Sequence, residues 1–81
     1  MNLWIGNIAP GTTDEELKAF LVKYGAPEFT SVQHVPGDGS RPAAIVVFEQ
    51  ASAEVLAKLV LRLNGMYWKE RSLLVQTLLR S

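Results

Sequence analysis

Phe29-Thr30-Ser31-Val32-Gln33-His34-Val35 and Arg41-Pro42-Ala43-Ala44-Ile45-Val46-Val47-Phe48 flank the cluster Pro36-Gly37-Asp38-Gly39-Ser40. The flanks are rich in β-branched and aromatic residues, which suit a pleated surface, and the centre holds the residues that turns require. The stretch reads as a β-hairpin. Just before it, Leu17, Phe20, Leu21 and Tyr24 recur at i, i+3, i+4 and i+7, the spacing of one helical face, with Gly25 as the stop. Thr13 ahead of Asp14, Glu15 and Glu16 predicts a capping box, in which the hydroxyl takes the Glu16 N–H and the Glu16 carboxylate reaches back. The three acids also suit the positive end of a helix. After the hairpin, Ser52 caps a second helix running to about Leu63, with Leu56, Leu59, Val60 and Leu63 on one face and Asn64-Gly65 as its end. Outermost are residues 2 to 6, β-rich and stopping at Asn7 before Pro10-Gly11, and Ser72 to Leu78, the last strand.

The order β-α-β-β-α-β predicts an α+β, ferredoxin-like sandwich: a four-stranded antiparallel sheet with two helices on one face. With 81 residues, 48% of them apolar, residues 1–81 form a single domain. A chain of this size buries only about 60% of its unfolded surface, too little for a deep catalytic cleft, and no enzyme activity is expected. Eight basic and eight acidic residues cancel, which excludes binding driven by bulk charge and leaves only local contacts to nucleic acid. No cysteine and a single histidine, His34, exclude disulfides, thiol chemistry and multi-histidine metal sites, so no cofactor or metal is expected. The longest apolar run, Ala43 to Phe48, is far short of the roughly 20 residues a bilayer span needs, and Met1 to Asn7 does not read as a signal peptide. A cytoplasmic protein without membrane contact is expected. With one sheet face covered by helices, function belongs on the bare one.

Leu3-Trp4-Ile5-Gly6-Asn7-Ile8 resembles the six-residue ribonucleoprotein motif on the first strand of RNA recognition motif domains, and the resemblance extends over nearly the whole chain. The Thr-Asp-Glu-Glu-Leu helix start, the Lys23-Tyr24-Gly25 ending and Leu63-Asn64-Gly65 also fall where that family places similar residues. Alternation turns Leu3 and Ile5 toward the helices and Trp4 toward the open face, where its indole can stack on a base. The eight-residue motif on the third strand reads basic, Gly, aromatic, Gly or Ala, Phe, Val, any, aromatic in the family. Arg41 to Phe48 keeps Arg41, Ala44, Val46 and Phe48 but carries Ala43 and Ile45 where the stacking aromatics belong.

The resemblance implies single-stranded RNA as the partner, bound by the sheet. Trp4 stacks, Arg41 holds a phosphate or stacks through its guanidinium, Ile45 gives apolar contact beside Ala43, and Gln33 and Gln76 meet base edges. Lys69, Arg71 and Arg80 add charge near the same face. Two missing aromatics, at about 1 to 3 kcal/mol per stacked base, predict weak binding. The absence of a basic or glycine-rich tail resembles small single-domain bacterial members of the family.

Two alternatives stand beside this reading. The surface of Trp4, Ile45, Val47 and Leu74 can serve a degenerate domain that binds a protein or a second copy of itself, and the C-terminal Leu78-Leu79-Arg80-Ser81 can fold over Trp4. A ferredoxin-like enzyme such as a small phosphatase needs an anion-cradling loop, and Gly37-Asp38-Gly39 is only a turn. Gly65-Met66-Tyr67-Trp68 resembles the loop by which variant family members grip a protein ligand, but Met66 stands where Arg is expected, and Trp68 is assigned to the core. His34 is read as an ordinary strand residue. Val55 and Leu61, which broaden the apolar surface of the second helix, are read as scattered surface residues.

Overall fold

The computed structural model describes residues 1–37 and 39–78. In chain order the elements are β1 Asn2–Gly6, α1 Asp14–Lys23, β2 Ser31–Val35, β3 Ala43–Val47, α2 Ala53–Leu63, β4 Tyr67–Trp68, β5 Arg71–Ser72 and β6 Leu74–Leu78. The main sheet is antiparallel with strand order β2-β3-β1-β6. Leu3, Ile5, Ala44, Val46 and Val75 form its covered face, packed on Leu17, Phe20 and Leu21 of α1 and Leu56, Leu59 and Leu63 of α2. Each Leu, Ile, Val or Phe side chain among them taken fully from water stabilises by roughly 1.5–3 kcal/mol, which is what holds both helices to one side.

Local signals fix the helix ends. Glu16 N–H donates to Thr13 Oγ1 at 3.1 Å and Thr13 N–H donates back to Glu16 Oε1 at 3.0 Å, completing the capping box. At the other end Gly25 takes φ +86°, Ala26 N–H donates to the Leu21 carbonyl at 2.9 Å and Gly25 N–H to that of Val22 at 3.2 Å, a Schellman termination. Tyr24 is therefore the cap residue rather than the last helical one.

Three boundaries differ from the sequence reading. β2 begins at Ser31, not Phe29, because the Phe29 ring turns inward, edge-on to Phe48 at 6.1 Å between centroids. β3 ends at Val47, and the Phe48 N–H donates to the Met1 carbonyl at 2.9 Å. The stretch Ser72 to Leu78 is not one strand. Leu73 N–H donates to the Met66 carbonyl at 2.9 Å, so the chain leaves the main sheet there and Arg71–Ser72 pairs with Tyr67–Trp68 in a second, two-stranded sheet. Its two-residue turn holds Lys69 at φ +53° and Glu70 at φ +65°, the left-handed backbone usually supplied by Asn-Gly.

That hairpin lies against α1. Trp68 stacks on Phe20 with centroids 4.4 Å apart, in agreement with its assignment to the core, and Lys69 Nζ meets Glu16 Oε2 at 2.6 Å. The Lys69 ammonium, then the Thr13 N–H, hold the Glu16 carboxyl below its usual value. Lys69 is thus spent on the helix side and is not a cation of the open face. No helix among the described residues is long and apolar enough to cross a membrane.

Candidate nucleic-acid interface

Strand register assembles the open face from residues distant in sequence. Gln33 lies opposite Ile45, Ile45 opposite Trp4, and Trp4 opposite Gln76. These four candidate residues form one row across all four strands, about 14 Å long at the ordinary strand spacing. On one side of the row Val35 faces Ala43 and Gly6 faces Leu74; on the other Ser31 faces Val47, and Asn2 faces both Val47 and Leu78. His34, opposite Ala44, belongs to the helix-side set and stays exposed because β2 is an edge strand.

Trp4 is half-buried while its neighbours Leu3 and Ile5 are fully buried. Its indole lies down over Gly6, where a Cβ would sit 2.9 Å from Trp4 Nε1. Gly6 is thus the bed of the indole, a role the sequence shows only as a small residue two positions on. Gly6→Ala is expected to displace the ring and shift Trp4 fluorescence, with the unfolding midpoint nearly unchanged. An emission spectrum identical to wild type contradicts this placement.

Ala43 is on the open face by register but only 4% exposed, so it floors the surface rather than contacting a base broadly. Ile45 is half-buried, and Gln33, Gln76 and Arg41 are exposed. Leu74, 58% exposed, adds an apolar wall. Two shallow depressions flank the Trp4 row. One, of about 650 Å³, is lined by Trp4, Gly6, Arg41, Ala43, Asn64 and Leu74 among others; the other, of about 670 Å³, by Asn2, Gln33, Ile45, Val47, Glu49 and Leu78 among others. Arg41 beside the first and Glu49 beside the second give the face a positive and a negative end.

Arg71 reaches this side but is engaged: its Nη1 donates to the Ser40 carbonyl at 2.8 Å and to Asn7 Oδ1 at 3.3 Å. It ties the β2–β3 loop to the end of β1. Arg80, Leu79 and Ser81, and with them the suggestion that the C-terminus covers Trp4, lie outside the described residues, as does Asp38 of the turn. Among the described residues no cluster of three or more His, Asp or Glu side chains is arranged to hold a metal ion.

Structures of similar shape are RRM domains. The third RRM of Pes4 superposes with a TM-score of 0.79 at 20% identity, covering 99% of this chain and 93% of its own. The Rna15 RRM with bound RNA (GU) gives 0.74 at 20% identity over 98% and 83%. Plasmodium falciparum SR1-RRM1, in complex with ACAUCA RNA, gives 0.63 at 17% identity over 93% and 80%. At these identities the likeness is one of fold. No curated protein sequence matches the chain. The family profile described as RNA recognition motif matches residues 3–74, from β1 through the first residue of β6, and so takes in β1, β2 and β3 of the open face but not Gln76. By that match and this architecture, the chain belongs to the RNA recognition motif family.

Proposed function

We propose that this domain binds single-stranded RNA weakly across the open sheet face, with a base stacked on Trp4 and backbone phosphate at Arg41. The observation that carries this reading is the single row Gln33, Ile45, Trp4 and Gln76, which sets one aromatic face and two amide side chains at the same level of the sheet. RNA-bound neighbours such as the Rna15 RRM support the partner class. Weakness follows from Ala43 and Ile45 in place of aromatics, a deficit of roughly 2 to 6 kcal/mol that puts Kd near the micromolar range or above.

Charge sharpens the test. With Lys69 paired to Glu16 and Arg71 bound to Ser40 and Asn7, Arg41 is, among the described residues, the exposed cation that lines the depression beside Trp4. Roughly two phosphate contacts predict that log affinity falls with log salt at a slope of about 1.4 on single strands. Arg41→Ala is expected to lower the slope by about 0.7 if the guanidinium pairs with phosphate, and to leave it unchanged if it stacks. No RNA binding at low salt, together with salt-insensitive self-association or protein capture, favours the second reading, a protein-binding or self-associating face, for which the exposed Leu74 beside Trp4 is the specific observation.

A further inference from the structure

Arg41 lies in the loop between β2 and β3, and the carbonyls on either side of it are both held. The Ser40 carbonyl accepts from Arg71 Nη1 at 2.8 Å, and the Pro42 carbonyl accepts from the Ile8 N–H at 2.9 Å. Both ties lead to the segment that follows β1, since the same Arg71 Nη1 also donates to Asn7 Oδ1 at 3.3 Å. Within the loop Gly37 takes φ +60° and Gly39 φ +90°, and glycine restrains a chain less than any other residue. The placement of Arg41 therefore depends on the two ties.

One of them is main chain on both sides. The other is a side chain sent from β5, 31 residues beyond Ser40. Its base is firmly anchored: β5 pairs with β4, whose Trp68 stacks on Phe20 of α1, and Lys69 of the intervening turn is paired to Glu16. Asn7 Nδ2 donates to the Ser72 carbonyl at 3.0 Å, which fastens the residue next to Arg71 to the end of β1. Arg71 is half-buried, and two protein oxygens take the hydrogens of its Nη1. Arg41, by contrast, is exposed and lines the depression beside Trp4.

We propose that Arg71 is a positioning residue for RNA, holding the Ser40 carbonyl so that Arg41 is already set beside Trp4 before the ligand arrives. The inference rests on the RNA-binding reading above. Arg71 acts through Arg41 and makes no phosphate contact of its own. A loop ordered in advance has less freedom to lose on binding, which raises affinity without adding a contact.

The test is a double-mutant cycle on the full chain, read by fluorescence anisotropy of labelled hexaribonucleotides of randomised sequence at low salt. Arg71→Met keeps an apolar stem and removes the donors. It is expected to weaken binding about three- to tenfold in the wild-type background, the equivalent of one ordinary hydrogen bond. With Arg41→Ala already present the loss should shrink below about twofold, because a residue that is gone cannot be misplaced. An equal loss in both backgrounds marks a direct contact by Arg71 and overturns the proposal.

Two arginines on one phosphate also break additivity, so a second readout is taken without RNA. Heteronuclear NOEs of the Ser40 and Arg41 amides should match those of β3 in wild type and fall in Arg71→Met, while β1 and β3 hold their values. A loop already mobile in wild type, or one unmoved in the variant, overturns the positioning role and leaves RNA binding standing. Failure of the wild-type chain to bind RNA overturns the two readings together.

Discussion

Trp4→Ala is expected to raise the Kd for single-stranded RNA by about 5- to 150-fold, the equivalent of about 1–3 kcal/mol for one stacked base, with the domain still folded. The two effects separate because of where the ring sits. Leu3 and Ile5 carry the burial of β1, whereas the Trp4 indole rests on Gly6 at the open surface and is only half-buried. Neighbouring aromatics are not at hand to replace it, since Ala43 and Ile45 occupy the third-strand positions. Isothermal titration with a short oligomer, alongside a thermal melt, checks both halves. Unchanged affinity removes Trp4 from the interface, and a collapsed melt shows that its role is structural.

The largest effect on stability is expected at Phe48. Its side chain is fully buried, meets Phe29 edge-on at 6.1 Å, and its carbonyl accepts from the Met1 amine at 2.8 Å. Phe48→Ala removes a whole ring from a closed site and should cost about 3–5 kcal/mol. A domain of this length holds roughly 4–12 kcal/mol in total, so the variant is left marginal. With a urea slope of about 2 kcal/mol/M, the unfolding midpoint should fall by about 2 M. A fall below about 0.5 M means that the pocket collapses around alanine or that Phe48 is not closed in.

Both predictions draw on parts of the molecule that the sequence reveals unequally. Thr13 with Glu16, the stripe Leu17, Phe20 and Leu21, and the Ser52 cap of α2 are readable because each rests on groups within a turn or two of one another. Alternation likewise puts Trp4 on the open face, since Leu3 and Ile5 leave it no other side. What escapes is whatever depends on distant partners. Lys69-Glu70 carries no turn signature, so the small hairpin is invisible until Trp68 is seen stacked on Phe20. Lys69 looks like a candidate RNA contact until Glu16, more than fifty residues earlier, claims it. Ala43 is outward by alternation yet buried, because alanine is too short to rise above its neighbours on the sheet. Asn64 reads only as a helix stop, and the Val75 N–H that donates to its side chain lies on another element.

The strand order has a consequence for biosynthesis. Trp4 lies in the first strand to be made, and Gln76, its neighbour in the row, lies in the last. The β2–β3 hairpin can close early, from residues near in sequence, but β1 must wait between two partners, one of which is still untranslated. A nascent chain therefore exposes Trp4 long before the surface around it exists, and the row is not complete until β6 has left the ribosome. If the open face binds RNA as proposed, that affinity should arise only once β6 has paired with β1, late in the folding of the domain.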